Sequence, residues 1–292
     1  MKIALFGRTI NPDYLDYFSL LMKKLSDQKC SISMDKAFYQ QLALAGYKLE
    51  SNSFFSGYEE LKGQADFLFS IGGDGTLLEA ATLVRDSDIP IVGINLGRMG
   101  FLSSISKDNI LPAINDILNG RYVIEKRSLL QLSSSSDLRF EFPYALNELS
   151  INKRDTSSMI LVHLTVNDQF LNSYWADGLL VATPTGSTAY SLSCNGPILT
   201  PDSRNFLITS IAPHNLTVRP VVIPDNSVIR IRIESRDNHA RVSLDSRSAN
   251  ITSETELVVR KAPFGLNLVQ HENDGFFSTL RAKLNWGIDI RN

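Results

Sequence analysis

The sequence predicts an α/β domain of parallel β/α units followed by a β-rich domain, and three observations predict it. Through residues 1–120, buried-looking apolar runs alternate with segments whose apolar residues recur at helical spacing. After about Arg121 the period drops to two, with Ile160, Val162, Leu164 and Val166 set against His163, Thr165 and Asn167. Between an apolar run and an amphipathic segment of the first half, Ser70-Ile-Gly-Gly-Asp-Gly-Thr76 gathers three glycines around one carboxylate. The domains are expected at 1–120 and 121–274, with a C-terminal helix in 275–292 that can pack back on the first.

The elements follow in order. Ile3 to Phe6 reads as a buried strand ending at Gly7-Arg8, and Tyr14, Leu15, Phe18, Leu21, Met22 and Leu25 mark a helix. A second helix runs from Asp35 to Ala45, closed by Gly46, and a polar stretch with aromatics, 51–58, precedes the strand Phe67 to Phe69. Thr76 and Glu79 have capping-box spacing, so the next helix is expected to start at Thr76, carrying Leu77, Ala81 and Val84 on one face, with Asp74 ahead of it on the loop. Ile89 to Asn95 gives another buried strand, a turn follows from Leu96 to Leu102, and Ile110, Leu111, Ile114, Ile117 and Leu118 mark a helix stopped by Gly120. In parallel β/α units ligands bind past the carboxyl ends of the strands, where the Asp74 loop and the 97–101 loop both belong. In the second half Ile229, Ile231 and Ile233 alternate with charged residues, as do Val242 and Leu244 near Asp245, and Asn167-Asp168, 224–226 and 236–239 supply turns. Ser133 to Ser136 reads as a loop, and Phe276, Phe277, Leu280 and Leu284 as a short C-terminal helix.

With 292 residues, 43% hydrophobic and 21% charged, the chain is ordinary globular material, and a formal charge of −2 offers no basic excess for nucleic acid or an anionic membrane. Cys30 and Cys194 lack any CxxC or Cys/His spacing, the start is too quickly polar for a signal peptide, and no apolar run approaches membrane-spanning length, so a cytoplasmic location is expected. Small molecules or copies of itself are the expected partners.

Four stretches carry candidate chemistry. Glycines at 72, 73 and 75 let the backbone turn its N–H groups toward a phosphate, and a carboxylate at Asp74 repels that ligand unless it accepts a proton or holds a metal. The alternative is a tight turn with a turn-favouring Asp. Asn147-Glu148 sets two polar side chains in a run that otherwise looks buried, which costs about 1–3 kcal/mol for each group left unsatisfied. A strand-end turn is the plainer reading. Asp177-Gly178 leads an apolar strand into Thr183-Pro-Thr-Gly-Ser-Thr-Ala-Tyr-Ser-Leu-Ser193, whose small hydroxylated residues suit backbone contact with a nucleotide or, more simply, an ordinary helix entrance. No Walker or Rossmann fingerprint occurs. His214 and Arg219 sit among prolines from Pro213 to Pro224, and His214 is read as structural, with ligand contact as the alternative.

Gly72-Gly-Asp-Gly-Thr76, Asn147-Glu148, and Asp177-Gly178 with Thr183-Pro-Thr-Gly-Ser-Thr-Ala-Tyr190 resemble the NAD kinase family in order and separation, as do 96–101 and 213–216 more loosely. The glycine motif alone is shared with diacylglycerol-type lipid kinases; the Thr-Gly-Ser-Thr-Ala-Tyr run is the specific part. The resemblance implies a transferase that moves the γ-phosphate of ATP, carried with Mg²⁺, to the 2′-hydroxyl of the adenosine ribose of NAD, making NADP in a crevice between the two domains. It implies that Asp74 faces that hydroxyl, with Gly72, Gly73, Gly75 and Thr76 near the donor phosphates and Gly75 also near NAD. Asn147 and Glu148 would hold ribose or adenine, Asp177 the nicotinamide end, and Thr188, Ala189, Tyr190, Ser191, Leu192 and Ser193 would line the adenosine pocket. Phe101 would wall the pocket, with Ala212 a weaker member, and a homodimer or homotetramer is implied. Trp175, where relatives often carry a basic residue, and Arg247, where many carry glutamine, depart from the pattern. A lipid kinase, or a non-catalytic nucleotide sensor with no need of Asp74, are the alternatives.

Overall fold

The computed structural model describes residues 1–8, 11–47, 53–97, 100–154, 158–270 and 275–287. The chain falls into two units, one made of residues 1–126 together with the segment from Leu266 onward, the other of residues 127–265. The first unit contains β1 (Lys2–Gly7), α1 (Leu15–Asp27), β2 (Ser31–Asp35), α2 (Lys36–Leu44), β3 (Phe54–Phe55), α3 (Tyr58–Leu61) and β4 (Phe67–Ile71). It continues with α4 (Asp74–Val84), β5 (Ile91–Asn95), β6 (Ile105–Ser106) and α5 (Ile110–Leu118).

Its strands pair in parallel in the order β5-β4-β1-β2-β3. β4 and β5 are buried at every position, which is why they read as unbroken apolar runs rather than alternating ones. α1 turns Phe18, Leu21 and Leu25 to the core and α5 turns Ile110, Ile114 and Ile117, the spacing that puts side chains on one helical face. Asp35 caps α2 by accepting the Phe38 N–H at 2.9 Å. Gly7 stands opposite Ile71 and Ile71 opposite Ile94, so Arg8, Gly72 and Asn95 leave the sheet at the same level, past the carboxyl ends of β1, β4 and β5.

The second half begins with β7 (Val123–Ser134), β8 (Tyr144–Ala145), β9 (Glu148–Lys153), β10 (Ile160–Val166), β11 (Gln169–Ala176) and β12 (Gly178–Ala182). After a one-turn helix, α6 (Tyr190–Ser193), come β13 (Asn205–Ile211), β14 (Val221–Pro224), β15 (Ile229–Glu234), β16 (His239–Leu244), β17 (Arg247–Thr252) and β18 (Leu257–Gln270). Two antiparallel sheets, β11-β10-β15-β18 and β14-β13-β12-β9-β16-β17, bury one core. Val162, Leu164 and Ile231 enter that core from one sheet, and Leu149, Ile151, Val181 and Val242 from the other. This is the period-two pattern realised, with the partner positions His163 and Thr165 half-buried on the opposite face. Asn167 and Asp168, at φ 51° and 63°, form the two-residue turn that joins β10 to β11. The end of β18 belongs to the first unit, where Leu268 pairs in parallel with Ile91, and α7 (Phe276–Leu284) follows there, burying Leu280.

The structure corrects the sequence reading in places. α4 starts at Asp74, with Gly73 as its N-cap, rather than at Thr76, whose side chain is buried. Ser133 and Ser134 are the last residues of β7 rather than loop. β2, β7 and β18 have no counterpart among the expected strands. β18 hides its length behind Arg260, Lys261 and Pro263, and β7 lacks clean alternation because its burial runs across both faces. Arg98, Met99 and Asp274, which belonged to expected turns, lie outside the described residues. No helix among the described residues is long and apolar enough to cross a membrane.

Candidate functional site

In the first unit the chain leaves β4 through Gly72, at φ +150°, a conformation L side chains rarely adopt; a β-carbon there would also overlap Thr76 Oγ1. Gly73 then accepts the first helical N–H groups, from Thr76 and Leu77, and Asp74 is the first residue of α4 rather than a loop residue ahead of it. β-Carbons built on Gly73 and Gly75 meet no protein atom within 4 Å, so open ground lies beside the start of this helix. The Asp74 carboxylate accepts the N–H groups of three consecutive residues: Phe101 at 2.8 Å, Leu102 at 3.1 Å and Ser103 at 3.1 Å. Gly100 permits that approach, because any β-carbon there would run into the carboxylate. The structure thus brings Phe101 to Asp74 through main-chain bonds, and Lys283 of α7 lies 6.0 Å from the centre of the Phe101 ring. Glu79, expected in a capping box, instead pairs with the guanidinium of Arg8.

A second carboxylate does the same work in the other unit. Asp245, almost fully buried, accepts N–H groups from Leu146 at 2.9 Å, Asn147 at 2.8 Å and Glu148 at 3.2 Å. The main-chain groups of Asn147 and Leu146 in turn hold the next turn, since Asn147 O accepts the Thr183 N–H and Leu146 O accepts the Thr183 hydroxyl. Gly186 packs against the Asn147 backbone where a side chain would not fit. Burial raises the Glu148 carboxyl to about 8, with the neighbouring Asp245 adding to the shift and the Tyr190 N–H opposing it. Asp245 is also pushed up by its burial, against the pull of its three amide donors and of Arg247. Arg247, 3.6 Å from Asp245, donates to the carbonyls of Phe142 and Tyr144 and so ties β8 to the same turn. Asn147, Glu148, the turn from Thr183 to Tyr190 and Asp245 are therefore one assembly.

Asp177 lies at the other end of β12, in an ion pair with Lys153 at 2.5 Å. Its N–H donates to Ile211 O, which places it beside Ala212, a non-glycine residue held at φ +44°. Trp175 continues that edge: its carbonyl accepts the His214 N–H, and the two rings stack with centres 4.7 Å apart. Within Thr183 to Ser193 the hydroxyls divide. Thr183, Thr185, Ser187 and Ser191 are buried and bonded to protein groups, Ser191 to Thr209 at 3.1 Å, whereas Tyr190 and Ser193 are exposed and Thr188, Ala189 and Leu192 half-buried. A cavity of about 800 Å³ elsewhere in this unit, lined by His163, Thr165, Arg230, Arg232 and Glu256 among others, includes none of these residues.

Sequence reasoning missed Asp245 as the residue that shapes the Asn147-Glu148 turn. The one local signal is an acidic residue closing an alternating strand, at a position that needs φ +52°; its partners lie almost a hundred residues earlier.

Comparison with known proteins covers nearly the whole chain. The model of the ATP-NAD kinase N-terminal domain matches residues 3–122 and that of the ATP-NAD kinase C-terminal domain residues 146–271. Curated relatives named NAD kinase include those of Cytophaga hutchinsonii, 44% identical over all of both chains, Christiangramia forsetii, 42% over all of both, and Flavobacterium psychrophilum, 43% over all of both. Among solved structures, a yeast NADH kinase complexed with NADH superposes with TM-score 0.86 at 22% identity, over 100% of this chain and 89% of that one. An Archaeoglobus fulgidus NAD kinase in complex with ATP superposes at 0.74 and 24%, over 98% and 99%. With full-length identity above 40% to named relatives, and both halves matched by the paired domain models, the chain belongs to the ATP-NAD kinase family.

Proposed function

We propose that this protein transfers the γ-phosphate of ATP to the 2′-hydroxyl of the adenosine ribose of NAD, making NADP. The observation that carries the reading is the start of α4, where Gly73 and Gly75 border open ground at the carboxyl end of β4 beside the Asp74 carboxylate. Phosphoryl transfer has a loose transition state, so catalysis there is positioning and charge neutralisation. Gly73 and Gly75 offer main-chain N–H groups to the donor phosphates, and Gly72 and Thr76 shape the turn beside them, their own N–H groups held by Ile94 O and Gly73 O. A carboxylate has about four lone-pair sites. Three amide donors occupy Asp74, which leaves one direction for the attacking hydroxyl or for a metal. Asp74 would offer a hard carboxylate oxygen to a divalent ion accompanying ATP, whose charge would offset that of the phosphates.

Asn147 and Glu148 hold ribose or adenine of NAD. A Glu148 carboxyl raised to about 8 is largely protonated at neutral pH and can donate as well as accept a hydrogen bond. Thr188, Ala189, Tyr190, Leu192 and Ser193 face the adenosine, with Ser191 supporting them from the interior, and Asp177 and Ala212 meet the nicotinamide end. A homodimer or homotetramer in the cytoplasm completes the reading. The test incubates purified protein with ATP, Mg²⁺ and NAD and follows NADP with an NADP-specific dehydrogenase. NADP should accumulate from NAD, and 2′-deoxy-NAD should give no phosphorylated product; product from the deoxy compound would put the reacting hydroxyl elsewhere.

A further inference from the structure

Gly72, Gly73, Asp74, Gly75 and Thr76 include no cation for a triphosphate that carries several negative charges. Nucleotide-binding turns of other kinds meet that need with a lysine or arginine, so a basic side chain at the carboxyl edge of the sheet should supply it. β1 is the strand next to β4, and the pairing of Gly7 with Ile71 sets Arg8 level with Gly72. Lys36, one strand further away, is directed to Glu60 at 3.9 Å.

Arg8 is held in a defined way. Its Nε and Nη2 donate to the two carboxylate oxygens of Glu79, a bidentate pair across the first turns of α4. Glu79 lies four residues after Gly75, hence one turn along the same helical face. That is the face on which a β-carbon at Gly75 would meet no protein atom. A guanidinium has five N–H donors in a rigid fork. The pair with Glu79 leaves donors on the other edge to meet oxygens lying over the glycine turn. Arg8 is half-exposed, as a ligand to a phosphate entering from solvent has to be.

We propose that Arg8 binds the β- and γ-phosphates of the donor nucleotide, with Glu79 as the positioning residue that aims its guanidinium. The inference rests on the kinase reading for the location of the donor. The alternative is a surface ion pair, which contributes little and touches no ligand.

The test is direct calorimetric titration of the full chain, in the presence of Mg²⁺, with the non-hydrolysable analogue AMPPNP and separately with AMP. Arg8→Ala should weaken AMPPNP binding about 10- to 100-fold, the loss expected for a charge-assisted contact, and leave AMP unchanged. Arg8→Lys keeps the charge without the fork and should fall between, and Glu79→Ala should show a smaller loss confined to AMPPNP. In steady-state NADP formation the same variants should raise KM for ATP with KM for NAD within twofold of wild type. AMPPNP affinity within twofold of wild type in Arg8→Ala, with an unchanged melting temperature, would overturn the assignment. A wild-type protein that binds AMPPNP through Arg8 yet makes no NADP would refute the NAD kinase reading and leave this assignment standing.

Discussion

Gly75→Ala separates a phosphate cradle from an ordinary turn, because the protein itself gives no reason for glycine at that position. Gly75 is the second residue of α4, its φ is negative, and the added methyl meets no protein atom within 4 Å. Alanine is the better helix former by up to about 1 kcal/mol, so the variant should melt no lower than wild type and up to about 2–4 °C higher. If the open ground is where donor phosphates lie, the methyl stands in their place and pushes the γ-phosphate aside. A displacement near 1 Å costs on the order of 10²-fold in rate, so kcat/KM for ATP should fall by about that factor, while NAD affinity, held mostly by contacts away from Gly75, should fall much less. Coupled NADP formation measures the first quantity, calorimetric titration with NAD the second, and thermal denaturation the stability. Gly72→Ala provides the contrast. There φ is +150° and a β-carbon overlaps Thr76, so stability and activity should fall together. A Gly75→Ala protein with wild-type kcat/KM for ATP would show that nothing binds against this turn, and the donor site would have to be sought elsewhere.

Asp74→Asn should lower kcat about 10²- to 10⁴-fold if the carboxylate accepts the hydroxyl proton, with KM for NAD nearly unchanged; partial recovery at high Mg²⁺ would instead assign it to the metal. Because one of its three amide bonds is replaced by a donor facing a donor, the variant should also lose roughly 1–3 kcal/mol of stability in denaturant unfolding. Glu148→Gln should change the pH dependence of stability: the folded carboxyl at about 8 holds its proton above its ordinary 4.5, so wild-type stability falls as pH rises from about 4.5 to about 8. The variant lacks that slope and should gain on wild type across this window by at most about 5 kcal/mol, read from melting temperatures at pH 5 and pH 9. Parallel curves would place Glu148 in an ordinary solvated setting.

Much of this was legible in the residues, for reasons that are local. The parallel core of the first unit announced itself because β4 and β5 are buried on both faces and so read as apolar runs. β10 and β15 announced themselves because one face is buried and the other is not. What escaped was set by distant contacts. Capping-box spacing at Thr76 and Glu79 mispredicted the start of α4, because Glu79 is engaged by Arg8 from another strand and Gly73 already serves as the cap. The Thr183 to Ser193 run stood out for its hydroxyls, yet four of them, on Thr183, Thr185, Ser187 and Ser191, are turned inward to protein partners rather than outward to a ligand. Composition identifies such a segment; only its packing says which hydroxyls remain for a substrate.

Asp74 and Asp245 show the same economy of design. Each buries or half-buries a carboxylate beneath three successive amide N–H groups of a segment far away in sequence, 101–103 for one and 146–148 for the other. In each case the anchored segment contains residues proposed to meet NAD, Phe101 in the first and Asn147 with Glu148 in the second. A carboxylate is suited to this because it accepts several bonds at once and strengthens each by its charge. It follows that lost activity in a variant of either aspartate does not by itself identify a chemical role, since a released segment misplaces substrate contacts. The two effects differ in kinetics: misplaced contacts remove binding present in ground state and transition state alike and raise KM, whereas a missing base lowers kcat. Asp245→Asn, with its amide facing backbone donors, should therefore raise KM for NAD at least tenfold with kcat within threefold of wild type, and the opposite split would move Asp245 from scaffold to chemistry.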